Sequence, residues 1–446
     1  MNDRKPSQPP EAVLDHVGPH ADLIVPLANG EPVALLDALE EHHERLQHVR
    51  IHQMHALHER PYIRGECGDH LRHVSYFLSP ATREAYWNGT CDLVPANFSE
   101  MPRTLRDATR CSMVLAAASP PDAHGYFTLG TNADYVAPLI GHVPFFLEVT
   151  PHMPRTFGLN QIHVSQVAGW CETDRRLLEV PPVEPSDKDE AIAEIVADFV
   201  PDGATLQVGI GGVPNALLSR LKDHRHLGIH TELISDGIVE LVERGVVTGT
   251  CKRTRPNKVV ATFCLGTQRL YDWLDDNGAV EMLPVDLVND PRRIAREDDF
   301  ISINATTEVD LYGQCASETV AGRYWSSSGG QADFARGAMY SANGRAFIVL
   351  HSTTRAGRSR IRTHLTPGSV VTTLKNTVDH VVTEHGIARL RGRTLAERAR
   401  ALIEIAAPEH REELEREAFE SGILPRSRPA PAPSGGRAER PAAPTG

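Results

Sequence analysis

The sequence lacks any run approaching the roughly 20 apolar residues that a membrane-crossing helix needs. Its opening stretch, MNDRKPSQPPEAVLD, is polar and proline-rich, with no apolar signal core. Basic charge is in deficit. The net charge of −12 argues against nucleic acid as the main partner, since phosphate binding wants a basic face. Seven cysteines (67, 91, 111, 171, 251, 264 and 315) are scattered and never form a CxxC pair. That spacing supports no zinc or other metal site and fits reduced thiols in a cytoplasm. The glycines at 209–212 do not complete a dinucleotide GxGxxG, because Pro214 stands at its last position. No GK[ST] follows, so a P-loop is excluded. These absences leave a soluble cytoplasmic enzyme, long enough at 446 residues and 41% hydrophobic content for two or three domains.

What is present is organised around TLQVGIGGVPNALLSRLKDHRHLGIHTELISDG, residues 205–237. Leu206, Val208 and Ile210 alternate as a strand does, and Gly209, Gly211 and Gly212 end it. Pro214 then opens a short helix over Asn215 to Lys222, since proline suits a first helical turn. A second strand is expected from Leu227 to Leu233, carrying Glu232 near its end. Strand, glycine turn, helix and strand make a βαβ unit, and open parallel sheets bind ligands at the carboxyl ends of their strands. The unit therefore sets a carboxylate opposite a glycine loop with free backbone N–H groups.

The same pattern occurs earlier. In ADLIVPLANGEPVALLDAL, Leu23, Val25 and Leu27 match Leu206, Val208 and Ile210. After a one-residue shift, Pro32, Leu35 and Leu36 match Pro214, Leu217 and Leu218. VRIHQM (49–54) then matches LGIHTE (227–232), with Met54 where Glu232 stands. This points to duplication rather than a chance likeness of two βαβ units, and so to two similar open α/β lobes. The proline-rich EVPPVEPSDKDE at 179–190 is the expected boundary. The division is then a disordered lead over 1–12, a first lobe over 13–182, a second over 183–425, and a proline-rich tail over 426–446 without the apolar content to fold. Ser186 is expected to cap a helix with Ile192, Ile195, Val196 and Phe199 on one face.

Several other residues invite a chemical reading. Glu308 in TTEVD and Glu384 in VTEHG are alternative nucleophiles, read here as positioning or fold residues. Asp236-Gly237 reads as a turn. His52, His55 and His58 are spaced by three along an alternating segment, which spreads them over different faces and makes them surface or packing residues rather than metal ligands.

SPPDAHGY, MPRT, GIGGVPNAL, GIHTELISDG, FCLGTQRLYDW, EVDLYGQ, GGQADFARGA and VVTEHGIARLRGRTLAERA occur in this order between residues 119 and 399, within a likeness that extends from roughly residue 15 to 424. Together they closely resemble the acetyl-CoA hydrolase/transferase family, in the pattern of its 4-hydroxybutyrate and acetate CoA-transferases. The resemblance implies two open α/β lobes with the active site at their interface. It implies that Glu232 is the nucleophile and that Gly211, Gly212, Val213, Pro214, Asn215 and Ala216 form a segment in contact with coenzyme A. Gly330, beside Gly329, then corresponds to an amide near the oxyanion or thioester, and Asn289 to an asparagine beside the reacting group. Coenzyme A is a substrate in this reading and no cofactor is held permanently. The expected partners are acyl-CoA and small carboxylates, in a homodimer or higher homo-oligomer.

A glutamate can move CoA without losing the acyl group to water, through an acyl-glutamyl anhydride and then a glutamyl-CoA thioester. A carboxylate with its ordinary pKa near about 4.3 would be charged at neutral pH and would need no adjacent base. The reading is a CoA-transferase acting on a short-chain acyl-CoA and a small carboxylic acid; an acyl-CoA hydrolase is the alternative, and a CoA-binding protein without catalysis is disfavoured by the intact Glu232 and glycine loop. The first two differ in water exclusion rather than residue identity. Two departures from the family pattern bear on the substrate. Ser326-Ser327-Ser328-Gly329-Gly330-Gln331 stands where SGxGGQ is usual, so Ser327 replaces a glycine. Thr150 and His152 replace the asparagines often found before MPRT.

Overall fold

In a computed structural model the described residues run from 6 to 425; residues 1–5 and the tail expected over 426–446 lie outside them. The part of the expected lead that is described is ordered. Gln8 donates its backbone N–H to the Trp170 carbonyl at 2.9 Å, and Pro10–His16 form a 3-10 helix. Pro10 suits that first turn, and burial of Val13 and Leu14 anchors the segment.

The first sheet has seven strands, all parallel. In spatial order they are Cys91–Leu93, Leu71–Ser75, Val49–Gln53, Asp22–Val25, Met113–Ala118, Phe145–Val149 and Val167–Glu172. The second has six: Gly228–Ile229, Thr205–Val208, Phe300–Ala305, Arg345–Val349, His380–Thr383 and Gly386–Arg389, the last antiparallel. Strands such as Met113–Ala118 and Phe145–Val149 are buried at every position, as helix-covered parallel strands must be.

The repeated pattern has a structural counterpart. Asp22–Val25, the helix Val33–Glu41, the 3-10 turn His43–Arg45 and Val49–Gln53 follow one another in the first lobe. Thr205–Val208, the helix Gly212–Arg220, the 3-10 turn Leu221–Asp223 and Gly228–Ile229 do so in the second. In each sheet the first strand is flanked by the second on one side and a much later strand on the other, which is a topological switch point. The helix in the second copy begins two residues before the expected Pro214, and proline is still accommodated in the first turn. Ser186 caps Asp187–Ala197 through the Asp189 N–H, and Ile192 and Val196 are buried.

The second expected strand, Leu227 to Leu233, is not continuous. Gly228–Ile229 stay in the six-stranded sheet, whereas Leu233–Ile234 pair with Phe263–Cys264 in a separate ladder. Between them the Thr231 hydroxyl donates to the Val208 carbonyl at 3.1 Å and accepts the Val208 N–H at 3.3 Å, replacing main-chain pairing. The Glu232 carbonyl meanwhile accepts the N–H groups of both Thr262 and Phe263 at 3.1 Å. Local side-chain bonding of this kind diverts a strand, a competition that alternation alone does not reveal.

One continuous apolar core runs from Phe98 and Tyr135 in the first lobe to Leu217 and Met282 in the second. The connecting segment 173–186 has no regular secondary structure. It is pinned at Leu178, whose carbonyl accepts from Asn29 Nδ2 at 3.0 Å and from the Tyr271 hydroxyl at 2.8 Å.

Candidate active site

Both switch points open on one cavity of about 310 Å³. The carboxyl end of Asp22–Val25 contributes Leu27, that of Val49–Gln53 contributes Met54 and His55, and Phe77 follows Leu71–Ser75. From the other lobe come Gly209 and Ile210 after Thr205–Val208, and Asn304 and Ala305 closing Phe300–Ala305. Glu232 projects into this space from the break in its strand. Met54, its counterpart in the repeat, lines the same cavity.

The Glu232 carboxylate lies deep, with its remaining exposure towards the cavity. Asn289 Nδ2 donates to Oε2 at 2.8 Å. Asn289 is fully buried and follows the short helix Val285–Val288, whose register is fixed by the Asn289 N–H to the Val285 carbonyl at 2.8 Å. Gly330 passes directly beside this hydrogen bond. A Cβ there would lie 2.0 Å from Glu232 Oε2 and 2.4 Å from Asn289 Nδ2, so only glycine allows the backbone so near the carboxylate. Gly330 also caps the helix Gln331–Tyr340, directing its positive end towards this corner.

Burial pushes Glu232 up to about 7, and the Asn289 bond only partly offsets this. The ordinary carboxylate value expected from sequence is therefore corrected: the desolvation of a deep site, unreadable in a motif, leaves the group about half ionised at neutral pH. Asp333, one turn into the same helix, is also raised to about 7, by burial first and further by the charges of Glu232 and Glu100. Its carboxylate accepts the Ser99 N–H at 3.0 Å and the Ser99 hydroxyl at 2.8 Å, tying the first lobe to this helix.

Gly329 adopts φ +54°, and its carbonyl accepts the Phe98 N–H at 3.0 Å, so the pocket loop is clasped between lobes. The segment 211–216 is placed differently from the rest of the expected set. Gly211 has φ +126° and only a van der Waals neighbour in Pro214 at 3.9 Å, whereas Gly212 packs against Asp189. Val213, Pro214 and Ala216 turn into the core, and Asn215 Nδ2 donates to the Val183 carbonyl at 2.8 Å. None of the six lines the cavity; Gly209 and Ile210 do.

The competing carboxylates are engaged elsewhere. Glu308 accepts from the Thr366 N–H and hydroxyl and from Ser369, at 3.0, 2.7 and 2.7 Å. Glu384 accepts from the Ser352 N–H and hydroxyl and pairs with Lys188 at 2.7 Å. Asp236 opens the helix Asp236–Glu243 and accepts the Thr267 N–H at 3.0 Å. No group of three metal-binding side chains occurs among the described residues. His52 and His58 bond to Asp22 and Glu31, as packing residues do. His55 lines the cavity, a role that the spacing argument missed and its position just past a strand end could have signalled.

Models of the acetyl-CoA hydrolase/transferase N-terminal and C-terminal domains match residues 4–184 and 266–418. A succinyl-CoA:cyclohexane-1-carboxylate CoA transferase of Geobacter metallireducens is 44% identical over 396 residues, 88% of this chain and 90% of that one. The chain belongs to the acetyl-CoA hydrolase/transferase family. Within the family, the 4-hydroxybutyrate coenzyme A transferase of Clostridium kluyveri is 41% identical, covering 91% of this chain and 95% of its own. Two solved structures share the architecture. RipA from Yersinia pestis superposes with a TM-score of 0.89 at 35% identity, covering 95% of this chain and 98% of that one. The 4-hydroxybutyrate CoA-transferase from Porphyromonas gingivalis does so with 0.77 at 33%, covering 94% and 98%. The two-lobed α/β fold expected from the sequence is thus a property of the family.

Proposed function

We propose that this family member is a CoA-transferase that moves CoA between a short-chain acyl-CoA, such as acetyl-, butyryl- or 4-hydroxybutyryl-CoA, and a small carboxylic acid, with Glu232 as nucleophile. The observation that carries the reading is the carboxylate hydrogen-bonded by Asn289 Nδ2, with the Gly330 backbone packed against that bond, facing a cavity walled by both lobes. A Glu232 oxygen attacks the thioester carbonyl, the C–S bond breaks, and CoA leaves as thiolate from an acyl-glutamyl anhydride. The thiolate attacks the Glu232 carbonyl carbon and expels the first acid, giving a glutamyl-CoA thioester. A second carboxylate reverses these steps. Asn289 Nδ2 and backbone N–H groups around Gly330 stabilise the oxyanions. Coenzyme A acts as substrate, and no cofactor is retained. Segment 211–216 holds the CoA chain outside the cavity. A cytoplasmic homo-oligomer is the proposed working form.

Incubation with acetyl-CoA and no acceptor, followed by peptide mass spectrometry, should place CoA on Glu232. An adduct on Glu308 or Glu384 would sink the assignment. CoA release that does not depend on an added acid would identify a hydrolase instead.

A further inference from the structure

Apolar side chains line the cavity from both lobes, but its polar side chains are unevenly shared. The second lobe presents Val208, Ile210, Leu233, Phe263 and Leu265 together with polar groups, most of them already satisfied. Gln207 Oε1 accepts from Ser302 and Asn304, Ser328 donates to the Ala96 carbonyl, and Gln331 donates to Thr373. The first lobe presents Leu27, Met54, His55, Phe77 and Phe98. Glu232 stands at their meeting. An amide-bearing pantetheine arm suits the polar groups, which apart from His55 come from the second lobe, and this leaves the first-lobe face for the group beyond the thioester carbonyl.

Resting on the transferase reading above, we propose that the first-lobe wall is the acyl-binding surface and selects acids with an uncharged, apolar body over dicarboxylates such as succinate. Among the lining residues the ionisable groups are Glu232 and His55. Burial, and then the charge of Arg83, push His55 down to about 4, so its ring is neutral at physiological pH. When the acceptor acid binds, Glu232 is held as its neutral CoA thioester, so a second carboxylate would be desolvated in this cavity with no cation to pair it. Arg83 is the candidate counter-ion, and it is not among the residues lining the cavity: its Nε donates to the Trp325 carbonyl at 2.6 Å and its guanidinium lies 4.2 Å from the Trp325 ring centre. Ser327, buried with its hydroxyl unpartnered, is a single donor. One hydroxyl does not replace the several donors or the cation that a desolvated carboxylate requires.

The test uses the full chain with acetyl-CoA as donor and butyrate, cyclohexane-1-carboxylate or succinate as acceptor, each acyl-CoA product being quantified. The expected kcat/KM for succinate is lower than for butyrate by about 100-fold or more, the scale of an uncompensated buried charge. Succinate within about threefold of butyrate overturns the proposal, and loss of that activity in Arg83→Gln would show which cation was missed. Phe77→Ala separates selectivity from general damage. It should reduce kcat/KM for cyclohexane-1-carboxylate about tenfold more than for acetate, by loss of apolar contact; equal losses overturn the assignment of the wall. Transfer to no acid at all defeats the transferase reading and the proposal with it, a result distinct from unselective transfer.

Discussion

Replacing Asn289 by alanine tests the electrostatics of the site in one step. Its amide gives Glu232 the bond that favours ionisation, at 2.8 Å, against a burial that holds the carboxyl at about 7. A hydrogen bond to a charged group contributes about 1.5–3 kcal/mol. At about 1.4 kcal/mol per pH unit, its loss should raise the midpoint by about one to two units. Only the ionised carboxylate attacks, so activity falls as pH falls through the midpoint. The free-enzyme profile, read as kcat/KM for acetyl-CoA, should rise through about 7 in the parent. In Asn289→Ala it should rise correspondingly later. At neutral pH the variant should lose about 5- to 50-fold through ionisation alone, a portion recovered in alkaline buffer. A pH-independent loss will remain where the amide also supports the oxyanion. A parental profile already flat from acid pH, or a variant midpoint at or below the parent's, would refute the argument.

Glu232→Gln should keep under about a tenth of parental turnover in fresh preparations, since an amide is no nucleophile, and Glu232→Asp should lose about 10²-fold through misplacement. Because the folded carboxyl is raised from 4.5 to about 7, its cost to stability is absent in acid, grows as pH rises through that window, and reaches at most about 3 kcal/mol above it. Glu232→Gln should consequently melt higher than the parent at pH 8 but not at pH 4, as calorimetry can check. Gly330→Ala puts a methyl group 2.0 Å from Glu232 Oε2 and should abolish the CoA adduct in the trapping experiment. Ser327→Ala removes a buried hydroxyl without a partner and should leave the melting temperature unchanged or higher, because an unsatisfied group costs stability.

The sequence made the architecture legible because alternation, glycine turns and a repeated strand–helix–strand pattern are local signals. Glu232, Asn289 and Gly330 could be singled out through their motifs, and the fold does bring them together. The deep desolvation of Glu232 could not be read, since it arises from lobes distant in sequence closing over one point. The break after Ile229 was hidden for a related reason: the Thr231 bonds to Val208 compete with a ladder that alternation alone favours. Phe77, Phe98 and His55 escaped notice as site residues because each joins the cavity only through a neighbour in the other lobe or at another strand end.

The presence of Met54 at the position matching Glu232 in the first repeat has an electrostatic consequence. Two identical repeats would have brought two carboxylates into one desolvated space. Like charges so placed cannot both ionise near neutrality, so one of the two acids would hold a proton beside the other. With methionine in that place, the first lobe's strand end brings no charge into the cavity and acts through what it touches rather than through what it attacks.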